Sequence, residues 1–427
     1  MIALGSFENV EIIFLFILTY CFIVTEKINR TVAAFLSVAL MFMLKLIDFE
    51  YAIESIDFNT IGLLLGMMII VVITKKSGFF QYIAIKAAKI SRGEPLKILF
   101  ILCIITAVCS AFLDNVTTVL LIAPVTLVIT DVLSLNPISF LIPEIFVSNV
   151  GGTATLIGDP PNIMIGSAAA LGFVDFLKNL SPAAFIILFV TIFVFKIIYG
   201  KQLQVSEKNK IKILDLDERK AIKDKTLLIK SLTVIALTML GFLLHQNLEL
   251  ESSMIALIGA AFMLLISGVN PEEVFREIEW PTIFFFAFLF IIVGALEKTG
   301  VLQFFAYALL SLTNNNILFL SIFILWGGAL FSAFLDNIPF VATMIPLIQN
   351  IHTISGINIS PLWWALALGA CLGGNGTLVG ASANVVVAGI LEKHQHKLSF
   401  MDYFKTGFPL MIMTIIISTI YILIFIL

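Results

Sequence analysis

Cys109-Ser-Ala-Phe-Leu-Asp-Asn-Val116 and Phe331-Ser-Ala-Phe-Leu-Asp-Asn-Ile338 are one phrase written twice, 222 residues apart. Without a gap, eight of the 18 positions in 109–126 recur at that offset, among them Asp114/Asp336, Asn115/Asn337 and Pro124/Pro346. Further along, Gly151-Gly-Thr-Ala-Thr-Leu-Ile-Gly158 falls on Gly373-Gly-Asn-Gly-Thr-Leu-Val-Gly380, and Asn162 on Asn384. Lys76-Ser-Gly78 and Gln81 fall on Lys298-Thr-Gly300 and Gln303. Three blocks at one offset make the chain an internal duplication, a pattern that constrains the architecture before any single element does.

The medium in which this duplication folds follows from composition. Of 427 residues, 60% are hydrophobic and 12% charged, with a mean hydropathy of +1.09. Soluble domains carry about 25% charged residues, and cores of this size cannot hide so much apolar surface. The chain is therefore an integral membrane protein, and its 39 Phe residues read as lipid-facing bulk. A net charge of −3 points to no nucleic acid. Cys21, Cys103, Cys109 and Cys371 lie in apolar stretches, as small packing residues do. No Lys or Arg precedes Lys27, so the first apolar stretch does not read as a cleaved signal peptide.

A crossing needs about 20 apolar residues. The expected spans are 10–26, 31–47, 59–74, 182–199, 232–247, 252–268, 281–296 and 407–427. Apolar regions broken by Gly, Pro, Asn and Asp lie between them, at 97–131, 139–176, 317–350 and 361–391. The reading is an all-α polytopic membrane protein of two inverted repeats, residues 1–200 and 231–427, joined by a polar cytoplasmic linker at 201–230. Each repeat has five crossings, one of them interrupted, and a re-entrant hairpin. With the linker inside, 22 of the 25 basic residues fall in inside loops, which puts both termini outside a plasma or inner membrane.

Inverted repeats with interrupted helices are a feature of secondary transporters, whose sites form at the midplane where the breaks meet. Gly151, Gly152, Gly158, Pro160 and Pro161 cannot sustain a helix and free backbone groups suited to ions. The competing reading is a kink with a buried glycine pair. Asp114 and Asp336 are intramembrane carboxylates, functional by default, and also good helix caps. Asp159 has Ala381 as its counterpart, so it fits substrate or a proton rather than the shared scaffold. Gly374-Asn-Gly376 follows no strand and is no phosphate loop, His394-Gln-His396 reads as a solvated loop, and Lys75 and Lys76 snorkel. Glu144 faces either the cavity or the inner interface. No nucleophile–base pair, HExxH or Walker sequence speaks for an enzyme.

Ser148-Asn-Val-Gly-Gly-Thr-Ala-Thr-Leu-Ile-Gly-Asp-Pro-Pro-Asn162 resembles the ion transporter superfamily, which includes divalent anion:sodium symporters, arsenite permeases and the melanosomal P protein. The resemblance implies a homodimer, an elevator-type motion, no cofactor beyond sodium ions, and sodium sites where each hairpin tip meets the break of its own half. Carried over, Asn115 with Gly151, Gly152, Thr153 and Thr155 forms one site, centred on Asn115/Gly152. Asn337 with Asn375, Gly376 and Thr377 forms the other, centred on Asn337/Gly376. Substrate is expected between the tips, at Asn115, Thr117, Thr118, Asp159, Asn162, Asn337 and Asn384, and ion coupling also at Asp114 and Asp336.

The tips depart from the Ser-Asn-Thr of the carboxylate symporters, and two added carboxylates disfavour a dicarboxylate unless protons or cations neutralise them. The Gly-Asp-Val-Thr-like string of D-type antiporters is missing. The leading expectation is a sodium- or proton-coupled carrier of a small anion, oxyanion or metalloid such as arsenite or a carboxylate, embedded in the bilayer. The alternative is a sodium/proton antiporter.

Overall fold

In hydrocarbon every backbone amide and carbonyl must find its partner within the protein, which leaves a single chain of this composition the helix as its regular element. The computed structural model describes residues 7–25 and 27–427, and every regular element among them is helical. The first half runs α1 (Phe7–Thr25), α2 (Arg30–Met43), α3 (Phe49–Glu54), α4 (Phe58–Lys76), α5 (Phe79–Ile90), α6 (Pro95–Phe112), α7 (Asn115–Leu133), α8 (Ile138–Thr153), α9 (Pro160–Ala169), α10 (Phe173–Asn179) and α11 (Ser181–Tyr199). After α12 (Glu207–Leu214) the second half runs α13 (Lys225–Leu244), α14 (Ser252–Ser267), α15 (Pro271–Glu277), α16 (Trp280–Lys298), α17 (Val301–Leu312), α18 (Ile317–Phe334), α19 (Asn337–Ser355), α20 (Ser360–Gly373), α21 (Ser382–Lys393) and α22 (Phe400–Tyr421).

The duplication is carried by the backbone. Each of α14 to α21 begins 222 residues after its counterpart among α2 to α9. Helix starts recur so faithfully because the same breakers recur: an Asp caps α7 and α19, a left-handed Gly precedes α5 and α17, and a proline stands at the start of α8 and α20. Among the described residues nine helices are long and apolar enough to cross a membrane.

The two halves interlock. Helix α4 packs on α14 and α16 on α2, while α7 packs on α21 and α19 on α9, and α8 meets α20 at the centre. The arms α6–α7 and α18–α19 are hairpins whose tips end inside the protein, with Leu113, Asn115 and Asn337 each less than a tenth exposed.

Several elements differ from expectation. The predicted span 31–47 is a helix of only 14 residues, about 21 Å long, which begins at Arg30 within the protein. The interrupted span expected to reach 176 ends at Ala169, where Ala170 takes a left-handed turn and α10 leaves at 114°. Residues 201–230 are not loose. Helix α12 and a short 3₁₀ turn at Glu218–Ala221 pack under α5 and α7, with Lys89 to Glu218 at 2.6 Å and Lys223 N donating to Ser77 O at 2.9 Å. Helix α13 then starts inside the predicted linker, at Lys225. The amphipathic helices α5 and α17 were not anticipated, their 12 residues being too short to register as spans. Residue 26, where the first predicted span ends, lies outside the described residues.

Candidate functional site

The first arm of each hairpin ends in an extended leucine, Leu113 or Leu335, and an aspartate caps the second arm. Asp114 Oδ1 accepts from Thr117 N at 2.8 Å, and the Thr117 hydroxyl donates to the other carboxylate oxygen. Asp336 Oδ1 accepts from Ile338 N at 3.1 Å. Capping is therefore a real role for both. The second oxygen of Asp336 does more: it accepts from the Arg30 guanidinium and from Ser382 Oγ at 3.0 Å. Asp114 has no such cation at its side among the described salt bridges.

Both breaks are loops between helix ends, at 154–159 and 374–381. Carbonyls at such an end have lost their helical partners. Asn162 Nδ2 donates to Thr155 O at 2.8 Å, Thr153 O at 3.2 Å and Gly152 O at 3.3 Å. In the second half Asn384 Nδ2 donates to Gly374 O at 2.8 Å and Thr377 O at 2.9 Å. Asn162 and Asn384, expected at the substrate, thus spend their amide hydrogens holding the break loops in shape.

The breaks are tied to the tips of their own halves. The Thr155 hydroxyl donates to Ala111 O and that of Thr377 to Ala333 O. Ser110 Oγ donates to Ser148 O, and Ser332 Oγ to Ala370 O, both at 2.6 Å. Gly151 permits this closeness, since a Cβ there would stand 2.2 Å from Ala107 O. Gly151 and Gly152, expected to end the helix, lie inside α8, which stops only after Thr153, so at this pair the close-packed glycine reading holds and the break comes later.

Across the halves the two tip asparagines have different partners. Asn337 Nδ2 lies 3.3 and 3.4 Å from the two carboxylate oxygens of Asp159. Asn115 Nδ2 donates to Asn149 Oδ1 at 2.8 Å. Between the tips lies a cavity of about 190 Å³, lined by Asp114, Asn115, Asp159, Asn337, Glu279 and Arg30 among others. A larger cavity of about 440 Å³ adjoins it, with Arg30, Ser382 and Val386 on the walls of both. The inner lining holds three carboxylates and one guanidinium, and that guanidinium is bound to a fourth carboxylate, Asp336. Such a lining repels a bare anion and attracts cations, strongly so where water is scarce.

Known proteins resemble this chain in sequence and in fold. The family model of the citrate transporters matches residues 20–369. The chain belongs to the citrate transporter family. An uncharacterized transporter of Mycobacterium bovis is 42% identical over 419 residues, 97% of each chain. The 46 kDa membrane protein of Mycobacterium leprae is 41% identical over 97% of this chain and 98% of its own. The P protein of Mus musculus is 35% identical over 95% of this chain and 59% of that protein. Among solved structures, the YdaH transporter of Alcanivorax borkumensis shares the fold, with a TM-score of 0.61 over 86% of this chain and 85% of that one at 13% identity.

For this citrate transporter family member, the ion transporter resemblance and the all-α polytopic membrane fold hold. The structure brings Asp114, Asn115, Asp159 and Asn337 to one cavity. Thr117 serves the cap, and Thr118 is fully buried with its hydroxyl unpartnered among the described residues. Asn375 accepts from Asn149, and Gly376 packs closely on Ala333. Glu144 is buried in α8 and accepts from Thr126 Oγ1 at 2.7 Å. Lys76 pairs with Glu273 at 2.9 Å and Lys75 with Glu277 at 3.3 Å, so both reach α15.

Arg30, Glu279, Ser382 and Asn149 were missed. Glu279 had a signal, for it repeats Asp57 at the 222-residue offset, an acid directly ahead of a long span. Asn149 stood inside the quoted motif. Arg30 had none, since a basic residue next to a span reads as an interfacial anchor.

Proposed function

We propose that the protein is a secondary active transporter coupled to sodium or protons, which carries a small anion, oxyanion or metalloid through the cavity between the two hairpin tips. The observation that carries this reading is the charge balance of the lining: Asp114, Asp159 and Glu279 face the cavity, while its one guanidinium, Arg30, is already paired with Asp336. An anion enters such a site only with cations, so coupling is built into its electrostatics. The family's description as citrate transporters places carboxylates first among the substrates to test. A sodium/proton antiporter is the second reading, favoured by Asp159, a buried carboxylate whose partner is a neutral amide, Asn337.

The remaining elements of the reading follow the same logic. The hairpins and broken helices, α6–α9 and α18–α21, are suited to move as one body because each break is bonded to its own tip. The rest would form the scaffold of a homodimer, moved against by an elevator-type motion. Inverted orientation of the repeats, both termini outside and a cytoplasmic linker accord with the distribution of basic residues.

The test is flux in proteoliposomes under imposed sodium and proton gradients, against citrate, smaller carboxylates, phosphate and arsenite. Uptake of one of these, abolished when the gradients are removed, is the expected result. Sodium influx that drives proton efflux with no anion present would favour antiport, and uncoupled conduction would overturn both. Asp114→Asn is a built-in control for charge, because asparagine caps a helix about as well as aspartate. Flux at least about tenfold lower with an unchanged melting temperature is expected if the carboxylate acts on ions.

A further inference from the structure

Asn149 sits at the end of α8, fully buried, and both ends of its amide are engaged. Its Oδ1 accepts from Asn115 at the first hairpin tip, 2.8 Å away. Its Nδ2 donates to Asn375 Oδ1 at 2.8 Å, in the second half's break, and to Asn384 Oδ1 at 3.3 Å, in the first turn of α21 that follows it. Asn375 in turn donates to Phe146 O, one turn back along α8, at 3.2 Å. One side chain therefore joins the tip of one repeat to the break of the other.

The duplication makes this arrangement informative. Under the 222-residue offset Asn149 becomes Cys371, whose thiol lies 3.5 Å from Asn162 Oδ1 and also meets Asp159 and Thr153, all in its partner repeat, but reaches neither hairpin tip. The opposite diagonal is bridged differently, by Asn337 donating to Asp159, and Asp159 has Ala381 as its counterpart. Each diagonal thus has one bridge, an amide relay on one side and a carboxylate on the other. A scaffold role shared by the two repeats would have kept the same residue in both.

We propose that Asn149 is a positioning residue that couples the two candidate ion sites, so that occupation of one orients the ligands of the other. Its amide has a fixed polarity: oxygen toward Asn115, nitrogen toward Asn375 and Asn384. An ion that draws the Asn115 side chain toward itself pulls on the relay, and the Asn375 oxygen is released or held accordingly. Buried polar chains act together in this way because a broken link leaves a desolvated group unpaired. The inference rests on the coupled-transport reading.

The experiment is titration of the driving ion, sodium or proton, in reconstituted flux for the parent and for Asn149→Cys. Cysteine is the residue the second repeat tolerates at this place. The expected result is a half-saturating concentration raised about tenfold, the scale of one lost buried hydrogen bond, together with a fall of the Hill coefficient to 1. A purely structural role would lower protein yield or maximal flux and leave the Hill coefficient alone, and that outcome overturns the relay. Should Asn149→Cys fail to fold, Asn115→Ala, Asn375→Ala and their combination give the answer. These residues meet through Asn149, so non-additive shifts in half-saturation are expected and additive ones refute it. Parent flux that ignores both ions would overturn the coupled-transport reading itself. Ion-dependent flux with identical curves in parent and variant would overturn the relay alone.

Discussion

Replacing Asp159 by asparagine is expected to lower cation-coupled flux about 100- to 1,000-fold, with the protein still folded and inserted. A loss of that size corresponds to about 3–4 kcal/mol of lost interaction with the coupling cation, at 1.4 kcal/mol per factor of ten. Asp159 is 1% exposed, and its side-chain partners are the neutral Asn337 amide and the Cys371 thiol rather than a cation. Asparagine is nearly isosteric and can keep one of these hydrogen bonds, so folding is spared. The same group makes a prediction about pH. If Asp159 exchanges a proton for the transported cation, the two compete, and the half-saturating sodium concentration rises as pH falls. Sodium titrations between pH 5.5 and 8.5 with no anion present check this. Asp159→Asn should flatten the dependence, and a parent with flat behaviour would leave Asp159 a role toward substrate only.

Arg30→Gln is expected to be worse than the double replacement Arg30→Gln/Asp336→Asn. The single change leaves Asp336 partly buried beside Ser382 and a neutral amide, with no cation to offset its desolvation. The pair is 26% and 14% exposed on its two sides, which screens it to some degree. A loss of about 1–3 kcal/mol is therefore expected, below the figure for a fully buried pair. It should appear as a lower melting temperature and at least about tenfold lower flux. The double variant removes both charges and should recover most of the stability but not the flux, because Arg30 also lines the wall shared by the two cavities. A single variant as stable as the parent would show that the bridge contributes nothing. An exchange of the two residues, Arg30→Asp/Asp336→Arg, should restore stability if the attraction alone matters.

Residue spacing along the chain was enough to show that the two halves repeat at a single offset, because helix ends are local events, although not every paired helix was foreseen. A cap, a proline or a glycine pair acts within one turn, so its repetition at 222 residues is written directly in the letters. The apolar length of a segment is equally local, and the long spans were legible for that reason. Asp114, Asn115, Asp159 and Asn337 were legible as well, since polar residues inside apolar stretches are conspicuous wherever they end up in space. Their partners were not. Which tip asparagine meets Asp159 and which meets Asn149 depends on how the two repeats interlock, and no local rule distinguishes Asn115 from Asn337. Arg30 shows the limit most clearly: from its neighbours it is an anchor at the edge of a span, and only tertiary packing, with α2 and α19 both against α16, brings it to Asp336, 306 positions away. Position along the chain determined which segments are apolar enough to lie in the bilayer, because that follows from hydropathy. Tertiary structure alone decided which buried charges face one another, because electrostatic pairing depends on distance in space.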